Sequence, residues 1–353
     1  MIRRDYAKGL ADAIEAVASS VGEIKPPLMG AGELVMVTLT GIPYTSIMAA
    51  ALLPAILYFF AVWIGINAYS KQFDLKGIAD KDKPSSRDIL VTSAFFMVPF
   101  FVLLIGMFAI QKSPQYSACM AIIAGALMLF IDGNLKFNIN KTAQRFETAL
   151  LTSARQISMI AAIIVCASII IGVLGITGLG IKITSLILTG SGGLLWPSLF
   201  LTAVACMVLG MEVPTTAAYV ICIAVAGPAL TQLGLEPLQA HLFVFWYALL
   251  STITPPVCGA VFIASGMIGE NWLKVALTAM ALGIGLYIIP LGMIANPALI
   301  QLNTNIFAAL LAFLQMAVGL AFISYGLISF SNYFYKIGLL LIGVLIIFGH
   351  LFI

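Results

Sequence analysis

Long apolar runs dominate this chain, and the polar positions between them mark where its backbone must stop or turn. "TSIMAAALLPAILYFFAVWIGINA", "ILVTSAFFMVPFFVLLIGMFAI" and "VALTAMALGIGLYIIPLGMIA" each reach the roughly 20 apolar residues that a hydrocarbon core requires. With the shorter runs they predict about seven to ten helical segments in a membrane. Two closing helices are expected after Pro297, where Gln301 and Gln315 would serve as interhelical hydrogen-bonding groups. The opening "MIRRDYAKGLADAIEAV" leads from charge into an amphipathic stretch carrying Asp5, Asp12 and Glu15, without the short apolar core of a secretory signal. Insertion is therefore expected to rely on the helices themselves.

Two interruptions repeat one another. "STITPPVCGAVF" lies on "GEIKPPLMGAGE" so that Ile24 meets Ile253, Pro26 and Pro27 meet Pro255 and Pro256, Gly30 meets Gly259, and Ala31 meets Ala260. Each copy continues through a Gly-marked break to an aromatic residue, Tyr44 or Trp272, and then to a long apolar run ending near Asn67 or Asn296. A Pro-Pro pair removes two N–H donors and drives the preceding residue out of helical angles, so no helix passes through either copy. Irregular backbone at membrane depth survives only where protein buries it or water reaches it, which predicts a re-entrant helical hairpin at each copy. Ordinary interfacial turns are the plainer alternative.

A third interruption, "GMEVPTT", has apolar sequence on both sides. Gly210 and Pro214 would unwind a helix there and free carbonyl oxygens, beside the hydroxyls of Thr215 and Thr216. Oxygen-only ligation of that kind suits a hard monovalent cation, with sodium the natural candidate. A Pro-kinked helix whose Thr hydroxyls satisfy freed backbone groups is the simpler reading.

Composition supports the membrane assignment: 62% of the 353 residues are hydrophobic and only 9% charged, too little polar surface for a soluble globule of this length. The net charge of +3 matters less than its distribution. Lys71, Lys76, Lys81, Lys83 and Arg87 crowd one linker, Lys112 stands nearly alone in the next, and Lys136, Lys141, Arg145 and Arg155 crowd the third. That alternation places the first and third loops in the cytoplasm under the positive-inside rule. Interleaved Asp74, Asp80, Asp82 and Asp88 argue against nucleic acid. Cys119, Cys166, Cys206, Cys222 and Cys258 lack paired spacing and read as free buried thiols. His241 and His350 belong to no metal-ligand or nucleophile-base pattern, so neither an enzyme nor a transition-metal centre is expected. His241, ahead of "LFVFWYALL", reads as a membrane-interface residue among aromatics.

Glu23, Lys25 and Glu212 are the charges that the bilayer penalises most. Glu212 would either raise cation affinity or carry a proton at the unwound backbone, or else face an aqueous cavity. Glu23 and Lys25 are expected to be solvated at a hairpin tip.

"GMEVPTTAAYVICIAVAGPAL", "AHLFVFWYALLSTITPPVCGAVFIASGM" and "IIPLGMIANPAL" resemble the large membrane subunit of the tripartite ATP-independent periplasmic (TRAP) transporters in its fused-permease form. "EAVASSVGEIKPPLMGAGELVMVTLTGIPY" resembles the first hairpin and following helix of that subunit. The resemblance implies an all-α, polytopic, inverted-repeat elevator fold in the bacterial inner membrane. It also implies a sodium-driven secondary transporter that imports organic acids handed over by a periplasmic solute-binding protein, with no cofactor beyond the coupling ion. Carried over, the ion site falls on Ser19, Ser20, Gly22 and Pro26 of the first hairpin. It continues through Gly210, Met211, Val213, Pro214 and Thr215 of the unwound helix, and Ser251, Thr252, Thr254 and Pro255 of the second hairpin. Glu23, Lys25, Pro27, Glu212, Thr216, Pro256 and Gly259 fall along the substrate pathway.

The implied organisation is a first hairpin arm with its following helix over 1–69, and a charged cytoplasmic linker, two transmembrane helices and an amphipathic connector over 70–155. A second repeat over 156–300 and closing helices over 301–353 complete it. Glu23, Lys25 and Glu212 depart from the family pattern. The chain begins at the descending arm of the first hairpin, so its expected partners include a small membrane subunit or a separately encoded N-terminal permease half, besides the lipid bilayer and the carboxylate substrate. A non-transporting scaffold or decayed fragment of such a permease is the alternative.

Overall fold

The structure, a computed structural model, describes residues 8–26, 29–73, 85–131, 139–211, 213–329 and 333–352, and all regular structure among them is helical. Seven helical stretches are long and apolar enough to cross a membrane, namely Tyr44–Gln72, Ser86–Ala109, Thr142–Thr177, Thr215–Gln232, Trp272–Ala295, Ile306–Ser329 and Tyr333–Leu351. The remaining helices are too short to span.

The chain forms two compact units, one of residues 1–76 and 163–353, the other of residues 77–162. The larger opens with α1 (Lys8–Ile24), α2 (Ala31–Thr40) and α3 (Tyr44–Gln72). The smaller holds α4 (Ser86–Leu104), which runs into a π-helical turn at Ile105–Ala109, then α5 (Pro114–Met128) and the first half of α6 (Ile139–Thr177). Ser85 caps α4 by accepting from the Asp88 N–H, and Ser113 caps α5 by accepting from that of Tyr116. Arg145 on α6 donates to the carbonyls of Leu129 and Ile131, satisfying backbone freed at the end of α5.

The larger unit continues with α7 (Leu179–Gly190), α8 (Leu195–Leu209), α9 (Thr215–Gln232), α10 (Pro237–Leu250), α11 (Gly259–Ile268), α12 (Trp272–Leu282) and α13 (Ile284–Ala295). A 3-10 turn at Pro297–Ile300, α14 (Ile306–Ser329) and α15 (Tyr333–Phe348) complete it. Its centre is α10, in which every residue from Leu242 to Leu250 is buried. A helix apolar on all sides must be enclosed, and α8, α9 and α13 enclose this one. Elsewhere small residues allow the close approach that lipid-embedded packing needs. Gly319 of α14 and Gly343 of α15 face each other so closely that a Cβ on Gly319 would lie 2.9 Å from the Gly343 carbonyl, and one on Gly343 2.7 Å from that of Gly319. Ser324 ties α14 to α3 through the Ala61 carbonyl at 2.9 Å, and Gln315 ties it to α15 through that of Ile346 at 2.7 Å, the interhelical role expected of this Gln.

Two expectations need correction. The run "VALTAMALGIGLYIIPLGMIA" is not one continuous helix, because it breaks at Gly283 into α12 and α13. A Cβ at Gly283 would lie 2.8 Å from Ile253 Cδ1, so the break admits a residue of the second Pro-Pro loop. Of the five cysteines only Cys206, Cys222 and Cys258 are buried; Cys119 and Cys166 are exposed on α5 and α6.

Candidate functional site

Both Pro-Pro motifs end helices where proline chemistry requires. α1 stops at Ile24 and α10 at Leu250, each followed by a short loop and then a ten-residue helix, α2 or α11. Each of those helices ends on a left-handed glycine, Gly41 at φ 70° and Gly269 at φ 75°. Ile24 and Ile253, equivalent in the repeat, are both fully buried. The loops close on equivalent carbonyls from donors one place apart: Gly30 N–H donates to the Glu23 carbonyl at 3.0 Å, and Ala260 N–H to that of Thr252 at 3.2 Å. Glu23 and Thr252 occupy the same position of the repeat. The arms are also exchanged, since α1 packs against α11 while α10 packs against α2.

The third interruption lies where α8 ends at Leu209 and α9 begins at Thr215. Three side-chain contacts bring it together with the two loops. Ser251 Oγ, buried, stands 2.9 Å from the Gly210 carbonyl and 2.7 Å from that of Ala248, docking the second loop on the break. Ser20 Oγ lies 3.2 Å from Thr252 Oγ1, joining the first helix–loop–helix to the second. Thr215, buried at the first turn of α9, hydrogen-bonds the Glu23 side chain. Thr254 adds a 2.7 Å contact with the Tyr287 hydroxyl, and Tyr247 donates to the Tyr287 carbonyl at 2.9 Å.

Hydroxyl and carbonyl oxygens of Ser20, Gly210, Ser251, Thr252 and Thr215 thus gather at the meeting of three broken helices. Met211, Val213 and Thr216 are half-buried around the same break, and Pro214 caps α9. Thr254, Pro255, Pro256 and Gly259 follow along the second loop, and Pro26 stands at the corresponding place in the first. Ser19 and Gly22 are not drawn in. Ser19 is exposed and donates to the Ala16 carbonyl at 2.9 Å, and nothing lies within 4 Å of a Cβ at Gly22. Lys25 is exposed, its ammonium 5.9 Å above the Phe59 ring, whereas Glu23 is half-buried. Burial pushes the Glu23 carboxyl above the usual carboxylate range, and the Thr215 hydrogen bond acts in the opposite sense. Pro27 and Glu212 lie outside the described residues.

A family model for the tripartite ATP-independent periplasmic transporter DctM component matches residues 1–308. The chain belongs to that family. A DctM component is a transporter permease, and with seven helices long and apolar enough to cross a bilayer among the described residues this one is a multi-pass membrane protein. No curated protein matches the chain. The broken helices therefore lie in a permease, where such breaks are the usual place for ion and solute.

Sequence reasoning passed over Glu33, in the first turn of α2, which is wholly buried. The aligned repeat already contains it, because Glu33 is the last residue of the first copy and stands where the second copy has Phe262. His241 is half-buried and holds the Tyr219 hydroxyl at 2.6 Å through Nδ1. It joins α10 to α9.

Proposed function

We propose that this DctM-family permease imports organic acids by sodium-coupled secondary transport, receiving them from a periplasmic solute-binding protein and working with a small membrane subunit in a bacterial inner membrane. The observation that carries this reading is the convergence of three broken helices through Ser251 on Gly210 and Ser20 on Thr252. Helix breaks present unpaired carbonyls, which attract an alkali cation, while helix N-termini such as those of α2 and α9 favour an anion. A carboxylate and a sodium ion can therefore share one region without an arginine. In this reading α1–α2 and α10–α11 move with the α8–α9 break as the mobile part of an elevator, and the ion-binding oxygens are those of Ser20, Gly210, Thr215, Ser251 and Thr252.

Sodium that binds only the folded protein must stabilise it, by about 2.7 kcal/mol at a hundred times its dissociation constant. Melting of the purified protein titrated with sodium chloride should rise in that manner, and choline chloride at matched ionic strength should leave it unchanged. Equal melting in the two salts would overturn sodium binding. In vesicles supplied with the small subunit and a solute-binding protein, uptake of radiolabelled short-chain carboxylates should require an inward sodium gradient.

A further inference from the structure

We infer that Glu33 is a proton-binding site built into the first helix–loop–helix of this permease, separate from the oxygens that gather at the α8–α9 break. The residue has no exposed surface, and neither carboxylate oxygen has a hydrogen-bond partner from any other described residue. Its carboxylate turns back toward the Pro-Pro loop: a Cβ on Gly30 would lie 3.5 Å from Glu33 Oε2 and 3.6 Å from the Glu23 side chain. Apolar walls close the other side. A Cβ on Gly32 would stand 2.7 Å from the Phe245 ring, which itself meets Tyr219 edge-on with centroids 5.5 Å apart.

These surroundings choose among cations. A hard metal ion gathers several oxygen ligands at once. A proton needs only one carboxylate oxygen, and it removes the buried charge outright. The N-terminus of α2 favours an anion in its first turn, but that attraction is weaker than the penalty of enclosing a carboxylate with no donor from another described residue.

Burial accordingly holds the Glu33 carboxyl well above the usual carboxylate range; its own backbone N–H acts in the opposite sense and the neighbouring Glu23 in the same sense. Folding then binds a proton that the unfolded chain releases near its ordinary value of about 4.3. The stabilisation is complete below that pH and is lost as pH rises toward the folded value. The titratable groups around Glu33 are Glu23 on α1, Tyr44 on α3, Tyr219 on α9 and, through Tyr219, His241 on α10. Lys25 is turned to Phe59. Glu212 lies outside the described residues, so the experiment carries it as a separate variant.

The site itself is independent of the transport reading; its part in coupling rests on that reading. Infrared pH-difference spectra of the full chain in lipid vesicles, between about pH 5 and about pH 9, should contain a carboxylic-acid band that persists at neutral pH. E33Q should remove that band, while E23Q and E212Q should leave it in place. E33M serves the same purpose if E33Q does not fold, since both exchange a neutral carboxyl for a neutral group of similar size. A spectrum unchanged in both Glu33 variants would overturn the proposal. Stability of the wild type should fall as pH rises above the ordinary Glu range, and E33Q should lose that dependence; an identical fall in E33Q would also overturn it. For the coupling arm, acidification of the outer side should raise wild-type uptake several-fold, and E33Q should keep sodium-dependent uptake with a flat pH profile. Loss of the band in E33Q from a protein that takes up no carboxylate would sink the transport reading alone. Sodium-driven uptake together with an unchanged E33Q spectrum would sink the proton site alone.

Discussion

The docking of the second Pro-Pro loop on the α8–α9 break makes a quantitative prediction through two small residues. Gly210 has φ −84° and ψ −5°, angles open to any residue, so Gly210→Ala tests packing and not backbone strain. Its new Cβ would stand 2.7 Å from Ser251 Oγ, 3.0 Å from the Cys206 carbonyl and 3.1 Å from Ser251 Cβ. Overpacking of that degree costs about 1–3 kcal/mol. Ser251→Ala removes the 2.9 Å donor of the Gly210 carbonyl, which keeps only the Val213 N–H at 3.3 Å, and should cost about 0.5–1.5 kcal/mol. The closest clash of the first variant is with the hydroxyl that the second removes, so the two costs must not add. The double variant should be more stable than their sum by roughly 1 kcal/mol, within the usual range for residues in contact. Unfolding in mixed micelles, monitored by tryptophan fluorescence across the four proteins, measures this coupling. Additivity to within about 0.5 kcal/mol would mean that the hydroxyl does not rest on Gly210, and the convergence of the broken helices would fall with it.

Two further outcomes follow from the same packing. Ser20→Ala and Thr252→Val should each cost about 0.5–1.5 kcal/mol, and the pair together less than their sum, because the shared 3.2 Å contact is lost only once while the Ser20 bond to the Ala16 carbonyl and the Thr252 bond to that of Leu249 are lost separately; fully additive losses in the same unfolding assay would exclude the link between the repeats. Gly319→Val should cost about 1–3 kcal/mol or more by forcing α14 from α15, seen as greater proteolysis of the last helix, and a neutral effect would contradict the Gly319–Gly343 contact.

Much of the fold was legible because its causes are local. A Pro-Pro pair lacks donors wherever it stands, so the need for α1 and α10 to end before Pro26 and Pro255 could be read from residue type alone. The spans followed from apolar length, Trp272–Ala295 among them. The turn at Gly283 within it adjoins Ile253, thirty residues earlier in the chain, and periodicity holds no trace of that contact. Among the candidate site residues, the sequence nominated whole loops because a carbonyl ligand has no side-chain signature. Which members meet was settled by packing, which draws in Ser20, Gly210, Ser251 and Thr252 and leaves Ser19 and Gly22 at the surface.

By itself, then, the sequence determined that this chain is helical, that it belongs in a bilayer, and that its helices break at three places with two of the breaks repeated. Backbone chemistry and transfer free energy act residue by residue, and they need no knowledge of the rest of the chain. Only the tertiary structure decided that Ser20 and Thr252, 232 residues apart, touch, and that Glu33 is sealed from solvent while Lys25 is not. Burial and contact belong to the neighbours a residue acquires when distant segments pack, and no local pattern carries that information.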